Sequence, residues 1–131
     1  MNLDELIKAM PFAGQTGITL DTAGPDEVRG RLAWAPELCT VGGVMHGGAL
    51  MAFADTVGAV CAFLNLPPGA TTSTVQSGTN FFRAVRSGTV TAVSRPLHVG
   101  RSTIVVRTDL HDDEQRPVAS VTQTQSVLSA G

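Results

Sequence analysis

The sequence predicts an α+β fold in which an antiparallel sheet wraps around one long helix. Two observations carry this. Residues 48–64 are apolar almost without break and are mostly good helix formers, and the chain on either side reads as short strands separated by turn residues. A helix apolar on all faces is either a membrane span or one enclosed by other elements. This run is shorter than the roughly 20 residues a span needs and is interrupted by Asp55 and Gly58. The enclosing element is therefore expected to be the sheet, and no membrane is expected as a partner.

With 131 residues, one domain spanning 1–131 with its own core is expected. At the N-terminus, Asn2 and Glu5 stand at capping-box spacing, and Leu3, Leu6, Ile7 and Met10 lie on one helical face. Pro11 is expected to end this short helix, leaving 12–17 as a loop. Residues 18–22 and 27–34 read as two strands around the turn Ala23-Gly24-Pro25-Asp26; Val28, Gly30, Leu32 and Trp34 share one face, Arg29 and Arg31 the other. A loop over 37–47 delivers His46. After the central helix, Pro67-Pro68-Gly69 is a break. Four more strands follow at 71–84, 89–99, 103–110 and 118–128, with Pro96 bending the second or placing it at an edge. Tight turns between neighbours predict antiparallel pairing.

Composition narrows the function. A formal net charge of -2 leaves no basic footprint for nucleic acid. Charged residues make up only 15% of the chain, in keeping with a surface partly covered by another subunit. Cys39 and Cys61 show no CxxC or histidine spacing, so neither a disulfide scaffold nor a metal site is expected, and a reducing cytoplasm fits. The first residues lack a basic segment followed by an apolar one, so no secretion signal is expected.

The chemistry concentrates in 42–64. A lone carboxylate in an enclosed helix is costly unless it is paired or hydrogen-bonded, which makes Asp55 a candidate for function. A carboxylate that only bonds neighbouring backbone is the alternative. Gly47 and Gly48 open the helix, where N–H groups lack intrahelical acceptors and carry the positive end of the dipole. Without a Cβ, Gly47 lets a substrate carbonyl approach such an N–H, which can stabilise an oxyanion. Arg83 and Arg101 are suited to phosphate by forked hydrogen bonds, or are solvated strand-end charges. Phe81 and Phe82 read as core or wall residues, His98, His111 and the acidic turn 112–114 as surface.

His46-Gly47-Gly48, Asp55 nine residues after the histidine, Phe81-Phe82-Arg83 and Gly100-Arg101 together resemble the hotdog-fold acyl-CoA thioesterases, in particular the PaaI-like and 4-hydroxybenzoyl-CoA thioesterase group. The resemblance runs from about Gly14 to Leu128. It implies hydrolysis of an acyl-CoA, with Asp55 as general base or nucleophile and the Gly47 N–H polarising the carbonyl; apolar residues of the central helix could build a pocket for an aryl or medium-chain acyl group. His46 would shape that loop and contact substrate, with Thr40, Gly48, Thr74, Arg83 and Arg101 as further substrate contacts. It also implies a homo-oligomer, dimer or dimer of dimers, with a site formed by the glycine loop of one subunit and the acid of the other. No cofactor is implied beyond coenzyme A as part of the substrate. Two departures stand out: Thr40 occupies a position where the family commonly has Asn or Gln, and Ala59 one where some members carry Ser or Thr. A hydratase or dehydratase on the same fold would need a His-Phe-Pro-Gly type loop, which is missing. A non-catalytic acyl-CoA-binding module would dispense with Asp55.

Overall fold

The computed structural model describes residues 1–129. Its elements are α1 (Leu3–Lys8), α2 (Pro11–Thr16), β1 (Thr19–Ala23), β2 (Val28–Ala33), α3 (Gly47–Phe63), β3 (Thr71–Phe81), β4 (Thr89–Val99), β5 (Thr103–His111) and β6 (Pro117–Leu128). One six-stranded sheet runs in the order β1-β2-β4-β5-β6-β3, antiparallel at every pairing. Helix α3 packs against all six strands, so the sheet curves around it. This is the antiparallel sheet around one long helix that the apolar run and its flanking strands predict, and the hotdog arrangement that the resemblance implies.

The core lies between α3 and the concave face of the sheet. Phe53, Ala54, Val57 and Cys61 of α3 are completely buried, as are Val28 of β2, Val90 of β4, Ile104 of β5 and Val121 of β6. Burial, with Asp26 adding to it, pushes the Cys61 thiol up to about 11, so this cysteine is a neutral packing group. Arg29 and Arg31 point outward as β2 alternates, where Glu27 and Asp21 pair with them. Among the described residues no helix is long and apolar enough to cross a membrane.

Two expectations are corrected. Pro11 does not precede a loop: it is the first residue of α2, where its missing N–H is harmless and its φ is already helical. The N-terminal region is therefore two short helices, not one. β3 does not pair with its sequence neighbour β4. It crosses to the far edge and pairs with β6, from Thr71 opposite Leu128 to Phe81 opposite Ala119. Of the two places expected for Phe81 and Phe82, core or wall, the core is excluded, since in this chain they are 50% and 59% exposed. Pro96 meets both parts of its expectation, because β4 bulges between Pro96 and His98, beyond Ser94 where pairing with β2 stops.

The segment ahead of α3 is short but pinned. The Met45 N–H donates to Val85 O at 2.8 Å, the His46 N–H to Leu38 O at 2.7 Å, and the Trp34 indole to Gly43 O at 3.0 Å. At the other end of α3, the Asn65 amide donates to Cys61 O and to Pro25 O, satisfying a terminal carbonyl before Pro67. The turn after β5 is more than a solvated charge cluster. Asp112 accepts from the backbone N–H groups of Arg116 and Glu114, and the first of these bonds is the main reason its carboxyl lies below the usual range.

Candidate active site

His46 is the N-cap of α3. Its Nδ1 accepts the Gly48 N–H at 2.7 Å, so this nitrogen carries no proton and the imidazole presents Nε2 outward. A Cβ on Gly48 would stand 2.8 Å from Nδ1, so the cap requires glycine there. The carbonyl of His46 takes the Ala49 and Leu50 N–H groups at 2.9 and 3.3 Å. Among the described residues this leaves the Gly47 N–H as the one donor of the first turn without an acceptor. It points from the positive end of a 17-residue helix. Beside it opens a cleft of about 320 Å³ whose lining includes Thr40, Leu50, Phe81, Phe82 and Arg83. The exposed phenylalanines are thus walls of this cleft, with the Phe81 ring 3.1 Å from where a Gly47 Cβ would stand.

Asp55 sits two turns further along α3, half-buried beneath β3 and β6. Its Oδ1 accepts twice, from the Thr74 hydroxyl at 2.9 Å and from Gln123 Nε2 at 3.1 Å. Thr74 is itself held by Gln125 Nε2 at 2.7 Å, and the Thr72 hydroxyl, which donates to Ser126 O at 2.7 Å, lies 3.1 Å from Gln125 Oε1. The donors therefore run in one direction and converge on one carboxylate oxygen. Oδ2 has no partner among the described residues. A register shift between Thr74 and Gln76 makes this possible. It lets Thr74 share the helix-facing side with Ser77 despite a three-residue step, since their partners Gln125 and Gln123 both face the core.

The predicted site residues thus fall into three places. Thr74, expected as a substrate contact, joins Asp55 through its hydroxyl. His46, Gly47, Gly48, Thr40 and Arg83 gather around the start of α3. Arg101 is exposed in the β4–β5 turn, which is tied to the end of β6 through the Val127 N–H to Ser102 O bond, at the opposite end of the sheet from Val85 and the helix start. Gln123 and Gln125 are missing from the sequence reading. Their signal was present: with Ala119 and Val121 they occupy alternate positions of β6, and two fully buried amides on a core face ask for partners.

Comparison with known proteins identifies the family to which this fold belongs. A model of the thioesterase superfamily matches residues 42–119, which include the helix start, Asp55 and Thr74. The esterase candidate Rv1847 of Mycobacterium tuberculosis is 33% identical over 113 residues, covering 84% of this chain and 81% of its own. The proofreading thioesterase EntH of Cronobacter sakazakii is 29% identical over 86 residues, covering 66% of this chain and 63% of its own. Thioesterase HI1161 of Haemophilus influenzae superimposes with a TM-score of 0.92 at 28% identity, over 98% of this chain and 92% of its own. A sheet wrapped around a helix that opens on a free glycine N–H and carries an acid two turns on, matched over most of its length, identifies the chain as a member of the thioesterase superfamily, hotdog-fold enzymes that hydrolyse thioesters.

Proposed function

We propose that this thioesterase acts on an acyl-CoA with an aryl or medium-length acyl group, as a PaaI-like enzyme, using Asp55 and the Gly47 N–H. The observation that carries this reading is the inequality of the two Asp55 oxygens. Oδ1 is saturated by Thr74 and Gln123, which leaves Oδ2 to take a proton from water or to attack the carbonyl carbon. In the first route, hydroxide adds to the thioester. In the second, a mixed anhydride forms and water then opens it. Both end in a free acid and CoA thiol. The Gly47 N–H takes the charge that develops on the carbonyl oxygen.

The two groups do not act within one chain. Eight residues of helix separate Gly47 from Asp55, about 12 Å along the axis, whereas a reacting carbonyl must lie within about 3 Å of both its nucleophile and its oxyanion donor. The reading therefore pairs the helix start of one subunit with the Asp55 of another, in a homodimer or dimer of dimers. Support comes from β3, an 11-residue strand with one edge unpaired and Val75 and Phe81 exposed. Sedimentation velocity should give a dimer or tetramer; a monomer that remains active would sink the shared site.

For the acyl group, an apolar groove of about 210 Å³ begins one turn beyond Asp55, lined by Leu6, Met10, Ala59, Val60, Phe63 and Thr72. Arg83, in the cleft beside Gly47, is the nearer candidate for a CoA phosphate, with Arg101 reaching the ligand only from elsewhere in the assembly. No cofactor enters the reaction, and the two free cysteines suit the cytoplasm. Thiol release should be measured against aryl-, short-, medium- and long-chain acyl-CoAs. Turnover highest for aryl or medium chains is expected. Release from none of them, with CoA still bound, would point instead to a binding module.

A further inference from the structure

Resting on the assignment of Asp55 above, we infer that Gln123 is the positioning residue for Asp55, and that Gly58 is glycine in order to admit it. Gln123 is fully buried in the middle of β6. Its Nε2 donates to Asp55 Oδ1, while its Oε1 has no hydrogen-bond partner among the described residues. The oxygen lies instead against the backbone of α3 at Gly58. A Cβ on Gly58 would overlap Oε1 and stand 2.7 Å from Cδ.

This arrangement runs against what the fold alone would favour. A buried carbonyl oxygen without a donor destabilises the folded state, and an apolar side chain of the same shape would remove that cost. Glycine inside a helix is itself unfavourable relative to alanine. Both penalties fall at one contact, and that contact ends on the carboxylate. The amide is also oriented by it, since the reverse flip would set Oε1 against Oδ1. Thr74 alone, on the edge strand, would leave Asp55 free to rotate about its bond to that hydroxyl. A second donor from the neighbouring strand removes this freedom, so that Oδ2 keeps one direction. Gln123 does not touch the substrate; it acts through Asp55.

The test is Gln123→Met, which keeps volume and removes the donor. Its kcat should fall about tenfold or more, as misplacement of a reacting group does, with KM within about twofold and a melting temperature no lower than that of the unmodified protein. Gly58→Ala, which displaces the amide without touching Asp55, should give the same kcat loss. The double variant should lose no more than either single one, because both remove one contact. Unchanged kcat in a folded Gln123→Met or Gly58→Ala protein overturns the inference. So does a loss of activity that merely follows a loss of folded protein. Should the unmodified enzyme release no thiol from any acyl-CoA, the functional reading fails and the inference is read separately. The side-chain amide NMR signals of Gln123 should then shift in Asp55→Ala, and signals that stay in place would overturn it.

Discussion

Asp55→Asn should leave a folded protein whose thioester hydrolysis is lower by at least about a hundredfold, the usual scale for losing a general base. The substitution is unusually clean here. Asparagine keeps an oxygen where Oδ1 accepts from Thr74 and Gln123, so both donors stay satisfied. The new NH2 group replaces only Oδ2, the oxygen without a partner among the described residues, and it neither takes a proton nor attacks a carbonyl. Binding contacts elsewhere are untouched, so the loss should appear in kcat more than in KM. Thiol release measured beside a thermal melt gives the answer. A variant that melts normally and retains more than about a tenth of the activity would remove Asp55 from the chemistry.

Phe53→Ala should cost about 3–5 kcal/mol of stability, the range for deleting a large side chain from a packed core. Phe53 is the largest completely buried side chain and sits near the middle of α3. Its ring reaches within 3.4 Å of where a Cβ on Gly30 of β2 would stand, so the helix and sheet are in tight contact there. Against a total stability of about 5–15 kcal/mol, that loss brings the fold near its limit. Urea unfolding at fixed protein concentration should give a much lower midpoint with a similar slope. A loss below about 1 kcal/mol would mean that the core closes over the gap.

The sequence made the central helix and most strands legible because each is a local pattern. The apolar run around Asp55 is too long for a strand and too short for a span, and β2 alternates Val28, Arg29, Gly30, Arg31, Leu32 as a half-buried strand must. Pro11 misled because proline marks both the end of one helix and the first turn of the next, and only packing decides. The crossing of β3 to β6 was hidden for a different reason. Its partners lie 38 to 57 positions away in the sequence, as Phe81 opposite Ala119 and Thr71 opposite Leu128 illustrate, and no local period encodes that choice. The site followed the same division. His46, Gly47 and Asp55 stand out within one short stretch, whereas Gln123 becomes meaningful only once β6 lies over the helix.

The position of β6 has a consequence for the order in which the molecule is assembled. Of the six described strands it is the last in chain order, yet it lies between β5 and β3. Until the ribosome has released it, β3 has no strand to pair with, and the face of α3 that carries Asp55 has only part of its cover. The hairpin of β1 and β2 and that of β4 and β5 can form early from local contacts, but the pairing that closes the sheet is long-range and slow by nature. An incomplete chain would expose an edge strand beside an apolar helix, a combination prone to aggregation. Stalling the ribosome just before β6 should therefore leave a nascent chain sensitive to protease within β3, a sensitivity that disappears once Leu128 has emerged.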